Sequence, residues 1–204
     1  FVQARMNSKR LPGKVLIKIK KVPVLQLVVN NLKKVKFKKK IIILCSNQKK
    51  DDKIFKYCEI NKIKCFRGSL NNVYKRYLDA LNKYKCKSFI RISADSPLID
   101  SKIVDLIYNK YKKLKNYDIV TNCLIRTFPK GLSVEMINSS TFSDNYKNVK
   151  KSKHKEHITS YFYDNKKKFK IFNLTTKKKY KLKKYALDNH NDLIKIKKYL
   201  NEKN

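Results

Sequence analysis

The chain has 204 residues, with 52 Lys or Arg against 15 Asp or Glu, giving a net charge of +37. A hydrophobic content of 42% at this length supports one folded domain and excludes a disordered polyelectrolyte. No apolar run approaches the ~20 residues of a membrane span, so no membrane partner is expected.

In chain order, Phe1–Ala4 reads as the end of a strand. The chain opens at Phe1 rather than Met, and this strand is expected to be cut short, with a few residues preceding it. A loop then runs through Lys14, and a helix is predicted near Val24–Lys34. The β-branched run Lys40–Ser46 predicts a buried strand, followed by a helix from Asp51 to Asn61 and a short strand at Lys64–Phe66. Asn71–Tyr84 places Val73, Tyr77, Leu78 and Leu81 on one helical face. Ser88–Ser93 predicts a strand ending towards Asp95, and Ser101–Leu114 a helix with Ser101 as its N-cap. Strands follow at Asp118–Cys123 and Leu132–Ile137, then helices at Thr141–Val149 and His154–Asn165. Lys168–Leu174 and Lys181–Leu187 read as late strands, and Asn189–Asn201 as the closing helix. Strands alternating with helices indicate an α/β fold with a largely parallel sheet, which binds ligands at the carboxyl ends of its strands.

The charge is spread from Lys9 to Lys203 without a basic tail. Lys, Asn and Ile are abundant and Gly scarce, the signature of an AT-rich coding sequence, so solvated lysine faces explain most of the charge. No specific nucleic-acid partner is expected, although the positive field favours anionic substrates. The five cysteines form no Cys-x-x-Cys pair, which fits reduced thiols in a cytoplasmic protein.

Against this bias the few arginines and glycines are informative. Only six basic residues are Arg, the planar fork that grips phosphate or carboxylate at two points. Each of the three glycines, Gly13, Gly68 and Gly131, lies within five residues of Arg10, Arg67 or Arg126, which suggests three loops around one anionic ligand.

The run Gln3–Lys14 carries Arg5, Ser8, Lys9, Arg10, Gly13 and Lys14 in one loop after a strand, a composition suited to a triphosphate. It lacks the Walker pattern. In Arg91–Asp100, Asp95 ends a buried strand before Ser96-Pro97, where a hard cation could bridge protein to phosphate or a capping acid could sit. Asp188 and Asp192 have an N-cap reading and a metal reading. His154 and His190 read as structural residues at exposed positions.

Together, Gln3–Lys14, Cys65–Ser69, Arg91–Asp100, Arg126–Glu135, Glu156-His157 and Leu187–Leu193 resemble the landmarks of the sugar-acid cytidylyltransferases. The resemblance is nearest to the acylneuraminate-like branch of spore-coat polysaccharide biosynthesis. It implies one domain over residues 1–204 with a Rossmann-like three-layer nucleotidyltransferase fold and a mostly parallel mixed sheet. The implied reaction moves CMP from CTP to an acidic sugar with release of pyrophosphate, in a homodimer that uses Mg²⁺. On this resemblance Arg5, Arg10, Lys14 and Asp95 are catalytic, and Asp95 and Asp188 hold the metal. Ala4, Arg5, Ser8, Lys9, Arg10, Lys14, Ser46, Arg67 and Gly68 line the nucleotide, while Arg126, Lys130, Glu135 and His157 face the sugar. Ala94 stands where the family often has glycine, and no residue is assigned as general base. Another nucleotide, a neutral sugar, or a non-catalytic basic nucleic-acid binder are the alternative readings.

Overall fold

The computed structural model describes residues 1–202. Val2–Gln3 forms a two-residue strand, β1, followed by the long loop to a 3₁₀ turn at Lys14–Leu16. Next comes a hairpin that the sequence reading lacked, Lys18–Ile19 (β2) paired antiparallel with Val22–Pro23 (β3). Its two turn residues, Lys20 and Lys21, have φ of 49° and 65°, positions where Asn or Gly would be the usual signal. Val24–Lys33 (α1) buries Val24, Leu25, Val28, Val29 and Leu32. All five residues of Ile42–Ser46 (β4) are buried, as expected of a strand covered on both faces.

A 3₁₀ turn at Lys49–Asp51 leads into Asp52–Ile60 (α2), then Lys64–Gly68 (β5) and Val73–Tyr84 (α3), which Asn72 caps by accepting from Lys75 N. Ser88–Ser93 (β6) precedes Ser101–Lys113 (α4), whose N-cap is Asp100, accepting from Lys102 N, rather than Ser101. Ile119–Thr121 (β7) and Glu135–Asn138 (β8) follow. The helix expected over 141–149 is Ser139–Asp144 (α5) plus a 3₁₀ turn, shifted because Asn138 accepts from Thr141 N and starts it earlier. The helix expected over 154–165 is broken at His157 into Ser152–Glu156 (α6) and Ser160–Asp164 (α7). A 3₁₀ turn at Lys166–Lys168, Ile171–Asn173 (β9) and His190–Asn201 (α8) complete the described elements.

The sheet order is β5-β4-β1-β6-β8-β7-β9. β5, β4, β1 and β6 run parallel, β8 is antiparallel to both its neighbours, and β7 pairs parallel with β9. One face carries α1, α2 and α4 over Val28, Ile54, Ile103 and Ile107. The other carries α3, α5 and α7 over an aromatic layer in which the Tyr74 and Phe142 rings stack at 3.9 Å. The result is a Rossmann-like three-layer fold with a mostly parallel mixed sheet. β1 is followed in sequence by β4 on one side and later by β6 on the other, so the strand order reverses at β1, the kind of point where such sheets bind ligands at their carboxyl ends.

The strand expected at 181–187 is absent. That segment makes one isolated bridge, Lys130 to Lys184, and otherwise crosses the carboxyl ends of the strands as irregular chain.

Candidate active site

Ala4 is 1% exposed and donates its N–H to Leu44 O at 2.9 Å, holding the chain in the sheet to the start of the loop. The loop then folds on itself: Ser8 N and Gly13 N both donate to Met6 O, at 3.0 and 2.9 Å. Gly13 takes φ 69°, the left-handed region that glycine occupies without penalty. Asp51, 2% exposed, braces this loop from below. Its carboxylate accepts from Met6 N at 2.7 Å, Ser46 N at 2.8 Å and Ser46 Oγ at 2.5 Å. With the backbone so held, Arg5, Lys9 and Arg10 project outward as exposed cations, Ser8 is half-buried, and Lys14 turns inward. Arg5 pairs with Glu156 of α6 at 3.1 Å.

Lys14 lies between two acids. Its ammonium donates to Asp95 Oδ2 and, at 2.9 Å, to Asp188 Oδ1. The second Asp188 oxygen faces Arg10 at 3.2 Å and Lys184 at 2.8 Å. Burial alone would raise the Asp188 carboxyl, but its bonds to Lys184 and Lys14 prevail and lower it to about 2. Burial works against the Lys184 ammonium, yet its bonds to Asp188 and Asp192 raise it above the ordinary lysine value. Asp188 is carried here by the irregular crossing segment, where Tyr185 N donates to Lys130 O at 2.6 Å and Leu187 N to Asp95 O at 2.8 Å. Asp188 is not the helix cap. Asn189 caps α8 in a capping box with Asp192, which leaves the Asp188 carboxylate to the site.

Two carboxylates converging on one ammonium group form a seat for a cation, and the donor set is all oxygen. That fits Mg²⁺, which takes one or two protein carboxylates and completes its shell with water and phosphate. Among the described residues no cluster of three or more His, Cys, Asp or Glu supplies further ligands.

Several residues expected at the ligand have other work. Ser46 is fully buried and gives its hydroxyl to Asp51, so its polar atom is turned to the protein rather than to a ligand. The Arg67 guanidinium is engaged by Ser46 O at 3.2 Å, Gln48 O at 3.3 Å and Asp52 at 2.6 Å, making it a wall brace. At Gly68 an added Cβ would come within 2.7 Å of Arg76 Cγ, so this glycine serves helix packing. At Gly131, with φ 97°, a Cβ would lie 2.3 Å from Ala186 N, so it admits the crossing segment. Of the three Arg-flanked glycines, Gly13 thus sits in a loop that presents exposed cations, whereas Gly68 and Gly131 are required by packing. Glu135 is also corrected: its side chain is 3% exposed, with one oxygen on Arg91 and the other accepting from Tyr163 Oη at 2.6 Å. Burial is outweighed by Arg91 and Tyr163, and the carboxyl is held below its ordinary range.

Arg126, Lys130 and His157 are exposed, and Arg126 donates to Ser133 Oγ at 3.0 Å. Arg126 and Lys130 line a basin of about 510 Å³ together with Lys183, Lys184, Phe128 and Tyr180. His154, expected to be exposed, is 5% exposed and its Nε2 lies 2.9 Å from Asp164. Asp51 and Lys184 are site residues the sequence reading missed. Asp51 looks like a helix-start acid, and Lys184 is one lysine among many.

Residues 1–203 match the cytidylyltransferase family. The chain is 33% identical over 174 residues to the uncharacterized protein MJ1063 of Methanocaldococcus jannaschii, covering 85% of this chain and 70% of that one. It is 26% identical over 193 residues to the spore coat polysaccharide biosynthesis protein SpsF of Bacillus subtilis, covering 92% and 78%. Among solved structures, a cytidylyltransferase from Leptospira borgpetersenii superposes with a TM-score of 0.93 at 31% identity, covering 98% of this chain and 85% of that one. The basic loop, the paired acids and these likenesses agree, and the chain belongs to the cytidylyltransferase family, as a nucleotidyl-transferring enzyme.

Proposed function

We propose that this enzyme transfers CMP from CTP to an acidic sugar and releases pyrophosphate, in the synthesis of a surface polysaccharide. The observation that carries the reading is the Lys14 ammonium held between Asp95 and Asp188 beneath an arginine-bearing loop. It supports the reading because acids and cations suited to a metal–triphosphate complex stand together there. Asp95 and Asp188 are the residues that would hold Mg²⁺, which would neutralise the phosphates and polarise the phosphorus under attack.

The chain's own part is positioning and charge. Arg5, Lys9 and Arg10 are presented on a loop whose backbone Asp51 has fixed, so their cations meet the triphosphate with little reordering. Lys14 would exchange its two carboxylates for phosphate oxygens. A sugar hydroxyl attacks the α-phosphorus in line, the bond from that phosphorus to the bridging oxygen breaks, and the pair of electrons leaves with pyrophosphate. The hydroxyl proton passes to solvent or to a base that no side chain singles out. The basin beside Lys184 presents Arg126, Lys130 and Lys183 to solvent and includes no acid, which supports a negatively charged acceptor. The relative in spore coat polysaccharide biosynthesis supports the biological setting.

The test is pyrophosphate release with Mg²⁺, using CTP, UTP, GTP and ATP against acidic and neutral sugars. Release confined to CTP and an acidic sugar is expected. Release with another nucleotide or with neutral sugars alone would overturn the assignment.

A further inference from the structure

Four side chains form a relay across the sheet. Tyr163 Oη of α7 donates to Glu135 Oε1 of β8 at 2.6 Å, and Glu135 Oε2 accepts from Arg91 Nη1 of β6. The remaining Arg91 donors, Nε and Nη2, both point at Gln3 Oε1 of β1, at 3.4 Å each. A guanidinium has no acceptor, so the Gln3 atom facing it must be the oxygen. The relay therefore fixes which way the Gln3 amide lies. Its other end, the NH₂ group with two donors, has no acceptor among the described residues. Gln3 is half-buried, two residues before Arg5, at the carboxyl end of β1.

The direction of the relay says which substrate this amide would meet. Gln3 turns away from β4 and β5, towards Arg91 of β6 and Glu135 at the start of β8, the strand that follows the basin residues Arg126 and Lys130 in the chain. We propose that the Gln3 amide NH₂, oriented by the Tyr163–Glu135–Arg91 relay, donates to an oxygen of the acceptor sugar and helps determine acceptor specificity. This rests on the proposed function of the site. In a chain with few arginines, Arg91 has a task suited to the planar fork, which holds Glu135 with one arm and the Gln3 amide with the rest.

The experiment measures turnover of the full chain, with CTP and the acidic sugar varied separately, for wild type and Gln3→Glu. Glutamate keeps the shape and offers Arg91 a stronger acceptor, so a merely structural glutamine would tolerate the change. The inference predicts a KM for the sugar raised at least tenfold, a KM for CTP within twofold, and a melting temperature no lower than wild type. Gln3→Met, which keeps the stem but not the donors, should show the same split and serves if the glutamate variant folds poorly. An unchanged sugar KM in either folded variant, or a loss confined to CTP, would overturn the inference alone. A wild type with no CTP-dependent turnover would overturn the proposed function and this inference with it.

Discussion

The N–H of Leu187 donates to the carbonyl of Asp95 at 2.8 Å, joining the crossing segment to the end of a central strand. This bond sets Asp188 beside Asp95 although 93 positions separate them in sequence, and it does so without a strand to carry the second acid. The bond depends in turn on Gly131, where the backbone of Tyr185 and Ala186 passes too close for any side chain.

Gly131→Ala should therefore damage both stability and activity. Its φ of 97° and the 2.3 Å approach to Ala186 N leave alanine no room. A loss of about 2 kcal/mol or more is expected, lowering the melting temperature by roughly 4–8 °C. Turnover should fall with it as Asp188 shifts. A variant with wild-type stability would show that the segment can lift away freely.

Lys14→Met removes the cation that separates Asp95 from Asp188. Turnover should drop by about 100-fold or more, as for loss of one group that stabilises transition-state charge. In the absence of nucleotide, the two bare carboxylates should bind Mn²⁺ more tightly than wild type. Calorimetric titration with Mn²⁺ checks this, and weaker binding would contradict the arrangement.

Asp51→Asn replaces one carboxylate oxygen by a donor that faces N–H and O–H donors. A cost of about 1–3 kcal/mol is expected from the bonds to Met6 and Ser46. The loop should loosen, so the KM for CTP should rise with little change in that for the sugar. Denaturant unfolding and steady-state kinetics test the two parts.

Asp188 also links the site to acid stability. Its carboxyl is lowered from an ordinary 3.8 to about 2, so the folded state holds it ionised more strongly than the unfolded state does. The stability from this interaction is complete above about pH 4 and is lost as pH falls towards 2. Lys184→Met removes one partner of Asp188, so its stability deficit should be full at pH 7 and shrink towards pH 2. A deficit that stays constant across that range would mean Lys184 acts by packing alone.

Much of the sheet was legible in the sequence because burial on both faces enforces continuous apolar runs. Ile42–Ser46, buried along its whole length, stands out for that reason, whereas Ser88–Ser93 buries only Phe89 and Ile92 and is legible from its apolar and β-branched centre. The hairpin turn at Lys20-Lys21 was not legible, since lysines occupy the positive-φ positions where Asn or Gly would signal a turn. The crossing segment at 181–187 misled for the opposite reason: Leu182, Tyr185 and Leu187 have a strand-like look but pack from an irregular chain. In the site, charge type was informative and direction was not. The loop and the acids Asp95 and Asp188 came together, whereas Ser46, Arg67 and Glu135 turned their polar atoms to protein partners. Nothing in the local sequence distinguishes a guanidinium that faces a ligand from one that faces a neighbouring carboxylate.

On the proposed function, Asp95 and Asp188 jointly seat the cation that accompanies CTP. The most direct measurement is Mn²⁺ binding in the presence of CTP, by electron paramagnetic resonance, for wild type, Asp95→Asn and Asp188→Asn. Tight binding of one ion per chain is expected in wild type, with a loss of at least tenfold in affinity in each variant and the fold retained. Equal Mn²⁺ affinity in all three folded proteins would contradict it.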